Sequence, residues 1–376
     1  MKRLTFILLL AILLSACAPA VAPTVTPLPR PTAPPPTATV PPPQTPTADT
    51  TALRTEADAI FQNLTKAGAF SGAVLIAQNG RVILSQGYGF ADRAKKIPNT
   101  PQTKFRVSHL AWAFTAMAIL MLQEQGKLNV QDQICKYLTG CPDSWKTVTL
   151  HHLLTHSSGI PEAWSPASPQ LDQVIADAKT KPLDFQPGEK LGGFSLTEYI
   201  LLGRIIETVS GHAYETFMQQ SIFEPLKMAS TGYDHGQADL ALGYTGSSDH
   251  AASLDDQHAM FPGGAPYSTV EDLYRWDQAL YTDQLVPQKA VDAMFTAYVP
   301  IPESPGVLSG WSTGYGLIVR PSGPRISEQS GGTTGFTSVI HRFPDDRIVA
   351  IILTNQDSTS AWGVADQVTD KLFGMK

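Results

Sequence analysis

Residues 71–89 read SGAVLIAQNGRVILSQGYG. Two runs of β-branched and aliphatic residues flank Asn79-Gly80, a pair that tolerates positive φ at both central positions of a two-residue turn, so the segment is expected to form a β-hairpin. The far end of the chain has matching character: TGYGLIV (313–319), GFTSVIHRF (335–343) and RIVAIILTN (347–355), with Asp345-Asp346 at a turn. Helical patterns lie between and outside these runs. Residues 51–68 suit one helix. FRVSHLAWAFTAMAIL (105–120) opens a helix that is apolar on every side and therefore buried. TEYILLGRIIETVSG (197–211) and YSTVEDLYRWDQALYT (267–282) are further helices, the second with Ser268 as its expected N-cap. SAWGVADQVTDKLF (360–373) closes the chain. Strands at both ends and helices in the middle imply a mixed α/β (α+β) fold. It is expected to hold one antiparallel sheet built from both chain ends and flanked by helices, with a mostly helical lobe of about 127–262 inserted.

The 376 residues are 43% hydrophobic and 16% charged, enough for a large core, and the formal net charge is -6 with no long basic run. No nucleic-acid partner is expected, because phosphate binding needs clustered Lys and Arg. MKR followed by LTFILLLAILL has the order of an export signal, and the apolar part is too short for a comfortable membrane span. Leu-Ser-Ala-Cys then ends at Cys17 and resembles the bacterial lipobox, whose cysteine is acylated and becomes the new N-terminus. Residues 1–16 are thus expected to be a lipoprotein signal peptide and Cys17 the lipidated residue, with membrane attachment outside the cytoplasm. Residues 18–50 contain twelve Pro and eight Thr, a composition that favours extended polyproline II and cannot build a core. Residues 17–50 form the tether, and the folded domain spans 51–376. Cys135 and Cys141 are expected to form a disulfide, worth about 2 kcal/mol for so small a loop. No second ligand pair lies near them, so neither a metal nor a cofactor is expected.

A family resemblance rests on SGAVLIAQNGRVILSQGYGFAD (71–92), FTAMAILMLQEQGKL (114–128) and TLHHLLTHSSGIPE (149–162), then PGEK (187–190) with YILLGRIIETVSG, YSTVEDLYRWDQAL (267–280), and SGGTTGFTSVIHRFP (330–344) with AIILTN. In that order and spacing the chain resembles the serine β-lactamase-like superfamily, comprising class C β-lactamases, D-alanyl-D-alanine carboxypeptidases and related esterases. The resemblance implies three motifs. The first is Ser-x-x-Lys at a helix N-terminus, where a three-residue step puts nucleophile and proton acceptor on one face. Its positions fall on His109 and Trp112, and an indole N–H cannot accept a proton. The second is Tyr-x-Asn, falling on Phe194-Ser195-Leu196 after an extra residue at Gly192-Gly193. The third is Lys-Thr-Gly or His-x-Gly, falling on Gln329-Ser330-Gly331. His109, Trp112, Phe194, Leu196 and Gln329 all depart at once, three of them toward bulky apolar groups, so a filled and drier vestigial pocket is expected.

Two residues remain as candidates for a relocated site. Ser108 is one place early and has Ala111 three residues on; its other reading is a helix cap. His109 would be kept neutral by a helix N-terminus, yet no carboxylate or serine partner stands at matching spacing. His152 and His156 have i,i+4 spacing but lack the Glu of a zinc motif. Tyr199 belongs to an apolar helix stripe and reads as core. The favoured expectation is a membrane-tethered, non-catalytic member of this fold that binds a peptidoglycan peptide or an envelope protein. The alternatives are a hydrolase using Ser108 or His109, and an interaction protein whose old cleft is only core.

Overall fold

The turn at Asn79-Gly80 has φ values of 53° and 74°, the left-handed pair that a tight hairpin with right-twisted strands requires. It joins β1 (Gly72–Gln78) to β2 (Arg81–Tyr88). Six further strands come from the C-terminal part: β3 (Val299–Pro300), β4 (Ser312–Thr313), β5 (Ile318–Arg320), β6 (Ile326–Thr333), β7 (Phe336–Phe343) and β8 (Ile348–Thr354). The computed structural model describes residues 48–375 apart from 166–169, 237–238, 247–249, 253–265 and 304–308. Cys17, the signal segment and residues 18–47 of the tether lie outside the described residues.

The eight strands form one sheet in the order β2-β1-β8-β7-β6-β5-β4-β3. β1 runs antiparallel to β8, with Gly72 opposite Thr354 and Leu75 opposite Ile351. The sheet is therefore assembled from both chain ends, as the patterning implies. The described helices are α1 (Ala48–Lys66), α2 (Trp112–Glu124), α3 (Leu150–Leu154), α4 (Leu171–Thr180), α5 (Leu196–Ser210), α6 (Tyr214–Met218), α7 (Val270–Ala279), α8 (Gln288–Met294) and α9 (Ala361–Phe373). Alternation along β1 feeds two cores. Val74 and Ile76 join Phe61 of α1 and Val368 of α9. Ala73 and Leu75 point the other way and join α2 and α5. α2 is buried from Trp112 to Leu120, as its all-round apolar sequence implies. No described helix is long and apolar enough to cross a membrane.

Several boundaries differ from the sequence reading. α1 begins at Ala48, three residues before the expected start. α2 begins only at Trp112, because Phe105-Arg106 is a short strand paired with Tyr267-Ser268. That pairing also takes Ser268 out of the capping position. Its Oγ lies 2.8 Å from Thr231 Oγ1, and Thr269 caps α7 instead, accepting from Asp272 N at 3.1 Å. Cys135 and Cys141 are joined as a disulfide.

Candidate functional site

The positions picked out by the family resemblance gather where a 3-10 turn, Ser108–Ala111, meets the strand β6. Gly331 makes the approach feasible: a Cβ there would lie 2.3 Å from Val107 O and 2.9 Å from His109 N. Ser338 Oγ fastens the same place by donating to Val107 O at 2.9 Å. Ser108 sits in the left-handed region at φ 48° and is only 1% exposed. Its Oγ donates to Gly332 O at 2.8 Å. It is therefore a tie between turn and strand, not the helix cap the sequence suggested; the turn's N-cap, Val107, makes no side-chain capping bond.

His109 is partly exposed and stacks on Trp112 with centroids 4.6 Å apart. Trp112, the first residue of α2, is buried and stacks in turn on Tyr199 of α5 at 4.9 Å. His156 lies 4.8 Å from Trp112, and Phe194 covers both, at 6.3 Å from Trp112 and 5.3 Å from His156. The two residues at the Ser-x-x-Lys positions and the one at the Tyr position thus share one aromatic cluster.

Burial is uneven across the positions that the family resemblance picks out. Trp112 is buried, but Phe194 is 52% exposed. It stands on the chain entering α5, after Gly193 at φ 96°, and forms the rim of the cluster. Leu196 is the first residue of α5 and belongs to the core. Gln329 does not join the cluster. It is buried on the same face of β6 as Gly331, its Oε1 accepts from Trp276 Nε1 at 3.3 Å, and its Nε2 has no partner.

The acids of the site were missed by sequence reasoning. His156 Nδ1 donates to Glu198 Oε2 at 2.6 Å, with both side chains 3% exposed. The other carboxylate oxygen of Glu198 accepts from Ser158 Oγ at 2.5 Å. Glu162 lies at the N-terminus of α5, accepting from Leu196 N at 2.8 Å and Ser195 Oγ at 3.0 Å, where an anion is stabilised by the free N–H groups and the helix dipole. One signal for Glu198 was available: it interrupts a run, Leu196–Gly203, that is otherwise apolar or weakly polar and wholly buried. His152 and His156 do not share a helix face, because α3 ends at Leu154 and His156 has φ 56°. His152 instead caps α3 reciprocally with Thr149. Among the described residues no group of three His, Cys, Asp or Glu is placed to hold a metal.

Burial is the main cause holding His109 down to about 4, with the neighbouring His156 adding to it and Glu162 opposing. The ring is therefore neutral at pH 7. It can give or take one hydrogen bond, but no carboxylate contacts it to make it a strong base. Ser108, Ser158 and Ser195 already donate to Gly332 O, Glu198 and Glu162. The arrangement offers a stacking platform with an exposed phenyl rim, a neutral imidazole and a nearby anion. These are groups that bind and orient.

Comparisons with known proteins identify the family and the fold. The family model described as Beta-lactamase matches residues 57–371. A protein of Bacillus subtilis (strain 168) with the provisional name penicillin-binding protein PbpX is 32% identical over 321 residues, 83% of this chain and 77% of that one. Protein flp of Staphylococcus aureus (strain N315) is 27% identical, covering 80% of this chain and 63% of that one. Among solved structures, an octameric penicillin-binding protein homologue from Pyrococcus abyssi superposes with a TM-score of 0.77 at 26% identity, over 86% of this chain and 78% of the other.

Proposed function

Because the chain belongs to the β-lactamase family, we propose that it is a non-hydrolytic member that binds a peptidoglycan peptide in its cleft while tethered to the membrane through Cys17. The observation that carries the reading is the stack of His109 on Trp112 at the positions where the family resemblance places nucleophile and base. An acyl-enzyme needs an attacking oxygen and a proton acceptor in contact with it. The cleft serines already donate elsewhere, and the indole has no lone pair to offer. The exposed Phe194 over Trp112 and His156 supports binding, since a buried relic would need no such rim. The relatives named as penicillin-binding proteins favour an envelope peptide over an unrelated ligand. The Cys17 lipobox, the Pro/Thr tether and the disulfide are consistent with a place outside the cytoplasm.

The test is a labelled penicillin and a fluorophosphonate probe applied to the purified protein. No covalent label is expected on any residue of the cleft. Labelling lost on Ser108→Ala or His109→Ala would instead establish the alternative, a hydrolase with a relocated site. Binding is read separately, from quenching of tryptophan fluorescence by a soluble muropeptide. Phe194→Ala should weaken that binding about threefold to tenfold, the range for losing one aromatic contact.

A further inference from the structure

A concave site lies away from the aromatic cluster. α7 and α8 and the segments that follow them cover the far part of β6 and β7, leaving a cavity of about 450 Å³. Leu280, Val291, Phe295 and Ile326 supply its apolar wall. Its polar wall is built by register: Ser327 and Arg342 are direct cross-strand partners, both 2% exposed, and both line the cavity. Ser327 Oγ is buried and has no hydrogen-bond partner, a state that costs free energy unless something completes it.

The charges around the cavity are arranged unevenly. Arg342 donates through Nε to Asp277 Oδ1 at 2.5 Å, a buried ion pair that compensates part of its charge, and Tyr281 lies against the same guanidinium. Its guanidinium lies 4.9 Å from the Tyr281 ring, and the exposed Arg347 lies at the same distance from that ring. Two cations therefore flank one phenol. The third arginine, Arg325, is already paired with Asp345 at 2.5 Å. Asp292 on α8 is the remaining acid in the lining; it would repel a doubly charged anion more than a singly charged one.

We infer that this cavity is a binding site for an organic monocarboxylate with a compact apolar body, its carboxylate held by Arg342, Arg347 and Ser327 Oγ. Guanidinium groups match a carboxylate in shape and charge. A serine hydroxyl supplies one more donor, and the aliphatic wall takes the body. A cavity of this size fits a small ligand and falls in the usual range for such sites. None of the cluster residues His109, Trp112 or Phe194 lines it, so the site stands or falls independently of the cleft.

The experiment is calorimetric titration of the full chain, purified in detergent, with 3-phenylpropanoate. Saturable binding is expected below ~10 mM, the weak affinity that suits so small a ligand. The neutral 3-phenylpropanamide should bind about tenfold more weakly, as should the Arg347→Met variant toward the carboxylate. Ser327→Ala should lose about threefold, the value of one neutral hydrogen bond. Arg347 is exposed at a turn, so its replacement leaves the core intact, and an unchanged melting temperature verifies this. The inference is overturned by an absence of saturable binding, by equal affinity for acid and amide, or by indifference to Arg347→Met. Tighter binding of 2-phenylethylphosphonate as a dianion would overturn the monocarboxylate assignment.

Discussion

His109 illustrates how burial fixes the chemistry available to a side chain. In the unfolded chain its imidazole takes up a proton near pH 6.5, and in the folded protein only near 4. Between those values the unfolded state binds more protons, so stability falls as pH falls through the window, while above it His109 contributes no pH dependence. Replacing His109 with Gln should flatten that part of the curve, measured by urea unfolding at stepped pH. A slope unchanged from the parent protein would contradict the neutral ring. Glu198 gives a second test. Glu198→Ala leaves the buried donors His156 Nδ1 and Ser158 Oγ without their acceptor and should cost about 3–5 kcal/mol in the same assay. Glu198→Gln, which keeps an acceptor oxygen, should cost less.

At the level of elements, α2 and its neighbours carry the main core. Phe114 packs edge-on against Trp276 at 4.8 Å and Phe223 at 5.4 Å, joining α2 to α7. Phe114→Ala should destabilise by about 3–5 kcal/mol, seen as a lower urea midpoint with little change in slope. Removing the Cys135–Cys141 link by a double serine substitution should cost about 2 kcal/mol. Much of this was legible in the sequence, because hydrophobic periodicity and turn chemistry are local signals. The Asn79-Gly80 hairpin, the buried α2 and the C-terminal strands all follow from them. The nonlocal pairings were less legible. Phe105-Arg106 reads as helix until Tyr267-Ser268 is known to lie beside it. Gln329 reads as a cleft residue by motif spacing, but spacing does not reveal that Trp276 is the partner that turns it inward. Glu198 and Glu162 resemble ordinary helix-start acids, and only the tertiary contact with His156 and the capping of α5 give them their roles. His109, Trp112 and Phe194 were found because their positions follow from the family resemblance, and the structure brings their rings together.

For the molecule as a whole, the proposed anchor and the closing strand of the sheet lie toward opposite ends of the sequence. If Cys17 is acylated, Cys17→Ala should move the protein from the membrane pellet to the soluble fraction and remove the corresponding mass from its N-terminal peptide. The sheet imposes a different requirement. Gly72 pairs with Thr354, and β8 separates β1 from β7 in the strand order. A chain ending at Phe343 would lack the strand that joins the N-terminal hairpin to the other five. The expected result is a fragment without a cooperative melting transition. A chain with so distant a closing contact also folds late, because the loop must be complete before the contact can form. During synthesis, then, the hairpin waits with its edge unfilled until β8 has been made. The N-terminal edge of the sheet is thus the last part of the molecule to be closed.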